Sequence, residues 1–207
     1  MAYVTYTTPK GKAFYPNLRT PNVYEGEDLG YDCKLILPPE EEEKMAEFLH
    51  KELAKAAAAP EFAGKNLDAP NSFIGIGSTQ EGETFFKFKT KSTYKTKSGD
   101  VMNRVIPIFD AKGKPLPKNI DVGHGSVVRV NYSICPFWKS SKVKGLTLIL
   151  NAVQVLELVE RGKADFGSFG FQAEENGYSA PDEEVGDDEI PFKDAPNAAQ
   201  VDEGADF

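Results

Sequence analysis

Between Thr84 and Tyr94 the chain reads T-F-F-K-F-K-T-K-S-T-Y, with phenylalanine and lysine alternating through its middle. Only a side-chain period of two separates such sets, and that is the period of a β-strand. A helical period would spread both around one circumference. Phe86 and Phe88 therefore belong to a buried face, and Phe85, Lys87, Lys89 and Lys91 to the opposite, solvated face. The segment demands a sheet covered on one side, and the rest of the chain must supply the cover.

The other segments supply it mostly as strands. Tyr31–Leu37 places Cys33, Leu35 and Leu37 on one face before Pro38 and Pro39 stop it. A helix is predicted over 40–58: glutamates fill its first turn, where the helix dipole favours negative charge. Its apolar stripe is Met45, Phe48, Leu49, Leu53 and Ala56. Glu40–Lys44 and Glu47–Lys51 form i,i+4 pairs, and Pro60 ends it. Ser72–Gly77 reads as a short strand, and Arg104–Asp110 as one that Pro107 confines to an edge. Gly125–Trp138 alternates with Val128, Val130, Tyr132 and Ile134 on one side. Gly145–Leu158 is apolar on both faces. Five principal strands with one inserted helix imply a mainly β fold, an OB-fold-like five-stranded barrel. Residues 1–30, rich in turn formers, read as an extended N-terminal arm packed on a barrel domain of 31–160. Residues 161–207 read as a flexible acidic tail.

Charge is sorted along this order. Residues 85–144 hold thirteen Lys/Arg against three Asp, whereas 172–207 hold twelve Asp/Glu against Lys193 alone. The net −8 thus conceals a basic middle and an acidic end. The acidic segment has too little apolar surface to offset ordering entropy and is expected to be disordered. Cys33 and Cys135 lack metal-ligand spacing and read as reduced buried thiols. No apolar run is long enough for a membrane helix, and the first residues lack the pattern of a signal peptide. Gly75-Ile76-Gly77 and Gly123-His124-Gly125 lack the context of a phosphate loop. His50 and His124 suggest no catalytic pair. The expectation is a non-enzymatic protein with no cofactor and no metal.

A one-sided basic strand is a polyanion surface. Outward positions carry Lys87, Lys89 and Lys91, joined by Arg104 and Arg129, with further lysines at the turns and strand ends, Lys144 among them. Aromatic rings interleave with them: Phe85 on the lysine face, Tyr94 beside Lys95, and Phe137-Trp138-Lys139 at a strand end. Single strands need this pairing, because rings stack on any base while lysines follow the backbone. A duplex reader would need a basic helix or ribbon for the major groove. The candidate nucleic-acid-binding set is Phe85, Lys87, Lys89, Lys91, Tyr94, Lys95, Arg104, Arg129, Asn131, Phe137, Trp138 and Lys139. An RNA-binding module of the cold-shock kind and an acidic adaptor for a host protein remain alternatives.

Ordered short stretches add a resemblance. T-F-F-K-F-K (84–89), D-A-K-G-K (110–114), G-H-G-S (123–126), N-Y-S-x-x-P (131–136), L-x-L-x-x-V-Q-V-L-E-L (148–158), E-N-G-Y (175–178) and the final Asp206-Phe207 are similar to the single-stranded DNA-binding (helix-destabilising) replication proteins of short-tailed bacteriophages. The resemblance implies an OB-fold, a homodimer and a role in DNA replication, recombination and repair. It also implies the cytoplasm of the infected host cell, and a tail that contacts the replicative DNA polymerase and primase-helicase. Trp138 stands one place before the family's tryptophan, which leaves Phe137 as the alternative stacking residue. The tail segment Asp187-Asp188-Glu189-Ile190-Pro191-Phe192 further resembles the acidic Ile-Pro-Phe tip of bacterial single-stranded DNA-binding proteins, and Phe207 supplies the terminal carboxylate that Phe192 lacks.

Overall fold

The computed structural model describes residues 4–161, so the tail residues Asp187–Phe192, Asp206 and Phe207 lie outside the described residues. In chain order the strands are β1 (Thr5–Thr7), β2 (Gly11–Tyr24) and β3 (Glu27–Ile36), followed by helix α1 (Pro39–Ala57). Then come β4 (Ile76–Ser78), β5 (Thr84–Thr90), β6 (Thr93–Lys95), β7 (Val101–Asn103), β8 (Ile108–Phe109), β9 (Val127–Trp138) and β10 (Lys144–Glu157). Strands β2, β3, β5, β10 and β9 pair in that order, and β9 returns to β2 to close a five-stranded barrel. All contacts around the ring are antiparallel except β5 with β10, which run parallel. The chain thus builds the OB-fold-like barrel that the alternating segments imply. β1 and β8 add at the sides, β4 pairs the start of β5, and β6–β7 form a separate hairpin.

The barrel interior is what the period-two face supplies. Phe86 and Phe88 are fully buried with Cys33, Leu35, Val128, Val130, Tyr132, Leu148 and Leu150. One inward row crosses four strands, Ile134 opposite Leu148, Leu148 opposite Phe88, Phe88 opposite Cys33. Burial, with Asp32 adding, pushes the Cys33 thiol up to about 12. Burial likewise raises the Tyr132 phenol, with smaller contributions from Tyr6 and Glu52.

Helix α1 buries Met45, Leu49 and Leu53, the first two against the barrel core and Leu53 against Leu67 and Leu146. Its acidic first turn and its termination before Pro60 follow the sequence reading. Of the two expected ion pairs, Glu47–Lys51 forms at 3.4 Å; Lys44 instead meets Glu41 at 2.9 Å, one turn position nearer than Glu40. The loop after the helix is tied to the start of β10. The Leu146 N–H donates to the Phe73 carbonyl and Phe73 N–H to Lys144, 2.7 and 2.9 Å. A side chain at Gly145 would run into that Phe73 carbonyl.

Several boundaries differ from the sequence reading. The expected arm of residues 1–30 contains β2, a barrel strand hydrogen-bonded to β3 and β9, and β3 already begins at Glu27. Alternation in β2 is broken by register shifts between Phe14 and Asn17 and again before Asn22, so its strand pattern is illegible by periodicity. The strand expected over 84–94 stops at Thr90, and Tyr94 belongs to the β6–β7 hairpin. The strand of 72–77 shifts to Ile76–Ser78. That of 104–110 shrinks to Ile108–Phe109, leaving Arg104 outside it. β8 does sit at a sheet edge, as Pro107 requires. Lys144, expected at a solvated strand end, is buried.

Candidate nucleic-acid interface

The outer face of the barrel is set by the residues between the core positions. On β3 these are Asp32 and Lys34, and on β5 Phe85, Lys87 and Lys89. Register brings them together: Lys34 lies opposite Lys87 and, on its other side, opposite Phe14 of β2. Two residues along, a second outward row runs Asn17, Asp32, Lys89, Ile149, Ser133 across all five strands. Asp32 is buried in this row, and Asn17 Nδ2 donates to it at 2.9 Å.

Phe14 and Phe85 lie with their rings nearly parallel, 5° apart, at a centroid distance of 6.5 Å. The Lys34 ammonium stands 5.6 Å from the first ring and 5.3 Å from the second. Lys89 is exposed, yet partial desolvation holds its ammonium below the ordinary lysine value, and the charges of Lys87 and Lys139 lower it further. Lys139 leads the turn between β9 and β10, so three lysines from two separate segments share one field. Crowding like charges costs free energy that an approaching phosphate would return.

At the other end of the Phe14 row the chain kinks. Tyr15 has φ +44°, and its ring stacks on His124 at 4.5 Å and 12°. Phe14 meets both rings edge-on, at 4.8 Å to Tyr15 and 5.2 Å to His124. His124 is carried by the loop before β9, which is bonded to β2 in both directions: Gly125 N–H donates to Ala13, and Ala13 N–H to Ser126. The chain after β10 packs on the same loop, with Ser126 Oγ accepting from Val159 N–H and donating to its carbonyl. Arg161 Nη1 then reaches Asn17 Oδ1 at 3.1 Å and the Pro16 carbonyl at 3.4 Å.

The expected site residues divide into groups. Phe85, Lys87, Lys89 and Lys139 gather on the face just described. Lys91, Tyr94, Lys95 and Arg104 gather where β5 gives way to the hairpin: Arg104 Nε donates to the Lys91 carbonyl at 3.1 Å, and its guanidinium lies 5.4 Å from the Tyr94 ring centre. Arg129 is exposed on β9 opposite Gln154. Asn131 is engaged: its Nδ2 donates to Thr7 Oγ1, and its Oδ1 accepts from Asn151. Alternation along β9 turns Phe137 to the side of Ser133 and Cys135. Trp138 faces the other way, with the Lys65 ammonium 5.6 Å from its ring. Phe14, Tyr15, Lys34 and His124 join the candidate face without being among the residues expected from the sequence. Lys34 was accessible in principle, because it sits between Cys33 and Leu35, two residues read as buried.

Among the described residues no group of three His, Cys, Asp or Glu gathers as a metal site, and no helix is long and apolar enough to cross a membrane.

Comparison with known proteins agrees with this architecture. Residues 30–158 match the family model described as single-stranded DNA-binding protein, Bacteriophage T7. The single-stranded DNA-binding protein of Escherichia phage T7 is 32% identical over 135 residues, 61% of this chain and 57% of that protein. Its counterpart from Enterobacteria phage T3 is 29% identical over 131 residues, 61% and 56% of the two chains. The matched region thus spans somewhat over half the length of these relatives. The crystal structure of the T7 protein superposes with a TM-score of 0.64 at 26% identity, covering 87% of this chain and 100% of the other. A truncated single-stranded DNA-binding protein from bacteriophage Enc34 shares the fold, with a TM-score of 0.52 at 15% identity over 75% of this chain and 87% of that one. With the family model matching well over half of its residues, and that match spanning β5, β9 and most of the barrel, the chain belongs to the family of the bacteriophage T7 single-stranded DNA-binding protein.

Proposed function

We propose that this protein binds single-stranded DNA without regard to base sequence and acts as a homodimer in phage DNA replication, recombination and repair. The observation that carries the reading is the juxtaposition of Lys34, Lys87 and Lys89 with Phe14 and Phe85 on the outer face of β3 and β5. These are the second and third strands of the barrel, the face on which barrels of this class take oligonucleotides. Lysines there follow phosphates and rings stack on bases, so neither reads sequence. The other candidates extend the path: Lys91, Tyr94, Lys95 and Arg104 at one end, Phe137 and Lys139 near the β9–β10 turn, Arg129 and Asn131 on β9. The acidic segment competes with DNA for this face and recruits replication partners, a DNA polymerase and a primase-helicase.

Binding to oligo-dT is expected to weaken with salt. About four phosphate contacts, at roughly −0.7 each for single strands, give a slope near −3 in log affinity against log salt. Titration with dT, dC and mixed oligonucleotides at several salt concentrations measures both slope and sequence preference. A flat salt response or a strong motif preference would sink the reading, and tighter binding to RNA than to DNA would replace it with an RNA-binding one.

Deleting residues 172–207 removes a charge of −11 and takes the chain from −8 to +3. Affinity for oligo-dT is expected to rise, most at low salt, since screening weakens long-range repulsion and competition alike. Pull-down of a polymerase or primase-helicase is expected to fail with the same deletion. Unchanged affinity at low salt would exclude the competition.

A further inference from the structure

We propose that Tyr15 is a preformed stacking platform for one unpaired nucleobase, held in place by His124. The inference rests on the single-stranded DNA reading and adds to it a specific base-binding position at the end of the Phe14–Lys34–Lys87 row. Three independent observations converge on it. Tyr15 is 61% exposed although it is a large aromatic residue, so the ring face turned away from His124 meets solvent. Its backbone sits at φ +44°, a region that non-glycine residues with bulky side chains rarely occupy and that clusters at ligand sites. And its inner face is supported by an imidazole at 4.5 Å and 12°, stacked as a nucleobase would be on the outer face.

The support is rigid. The loop carrying His124 is bonded to Ala13 on one side and to Val159 on the other, and Gly123 N–H donates to the Val159 carbonyl at 2.7 Å. Room for a side chain at Gly123 is blocked by that same carbonyl. Left free, a tyrosine would pay rotamer entropy on each binding event; here the stack with His124 and the edge contact with Phe14 restrict the ring beforehand. One cation stands near it: the Lys34 ammonium is 5.6 Å from the Phe14 ring that meets Tyr15 edge-on. The Arg161 guanidinium, bonded to Pro16 and Asn17 next along the chain, is 4.0 Å from the Asp121 carboxylate. A phosphate next to a base on Tyr15 therefore has Lys34 for a partner. His124 acts here as a positioning residue, and Trp138, on the opposite side of β9 over Lys65, stays outside this path.

The test uses the full chain and oligo-dT. Tyr15→Ala is expected to lower affinity between about five- and one-hundred-fold, the range that loss of one base–aromatic stack produces, with the salt slope unchanged because no phosphate contact is removed. Tyr15→Phe is expected to bind like the parent. In a second arm, Tyr15→Trp in the Trp138→Phe background places the sole indole at position 15, and its emission is expected to be quenched as oligo-dT is added. Parental affinity in Tyr15→Ala, or an indole at 15 whose emission ignores DNA, would overturn the platform while leaving the lysine face intact. If Tyr15→Ala does not fold, the indole arm decides alone. A parent chain that fails to bind oligo-dT would overturn the broader reading, and the platform with it.

Discussion

Phe88→Ala is expected to destabilise the domain by about 3–5 kcal/mol, the cost of emptying a buried phenylalanine site in a packed core. Phe88 is fully buried, its ring centre is 5.0 Å from that of Tyr132, and its strand lies between β3 and β10. Because the inward row through Phe88 links four strands, the cavity would open among β3, β5, β10 and β9 at once. A domain of this size has a total stability of about 5–15 kcal/mol, so the loss is a large fraction of the whole. Urea unfolding read by circular dichroism measures it. A variant that unfolds like the parent but no longer binds DNA would mean that the two faces of β5 are exchanged.

The converse substitution is expected to leave the fold and remove the binding. With Lys34, Lys87, Lys89 and Lys139 all replaced by alanine, affinity for oligo-dT is expected to fall by about three orders of magnitude at roughly 50 mM salt, and the salt slope to become much shallower than that of the parent. Each lysine lies on the outer face or at the β9–β10 turn, away from the core. Lys89 and Lys139 are exposed, and such charges contribute little to stability, usually within about 0.5 kcal/mol each. Lys34 and Lys87 are half-buried, and loss of the Lys34 contacts with the Phe14 and Phe85 rings opposes the relief of repulsion at Lys89. The unfolding curve should therefore stay close to that of the parent. Retained affinity with a steep salt slope would move the phosphate path elsewhere, with Arg129 on β9 and the cations of the β6–β7 hairpin as the next positions to examine.

The elements legible in the sequence are those in which one period runs uninterrupted. In β5 and β9 phenylalanine, valine and tyrosine alternate with polar residues, and both fold with those apolar residues inside. The helix showed itself through a 3.6-residue stripe bounded by prolines, and its ends fall within a residue of expectation. β2 stayed hidden because its kink at Tyr15 and its register shifts scramble the alternation, and because prolines at 16 and 21 read as turns. With β2 taken for an arm, Phe14 and Tyr15 had no place on the candidate face. The ring pairs of the candidate site, Phe14 with Phe85 and Tyr15 with His124, lie 71 and 109 positions apart in the chain (85 − 14 and 124 − 15). Only the pairing of strands brings them together, and no local pattern encodes that. For Trp138 the residue type suggested stacking; strand parity, which no local pattern near the strand end reveals, puts Phe137 on the side of Ser133 and Trp138 on the other.

The two cysteines differ in a way that matters at the bench. Cys33 is fully buried with its thiol pushed up to about 12, so at neutral pH it holds almost no thiolate and a reagent cannot reach it. Cys135 is only half-buried, and it points to the same side of β9 as Ser133, the end of the row that contains Lys89. These are the only cysteines of the chain. A maleimide dye added to the unaltered protein would therefore mark a single position, on the side of the barrel assigned to the strand, without any engineered handle.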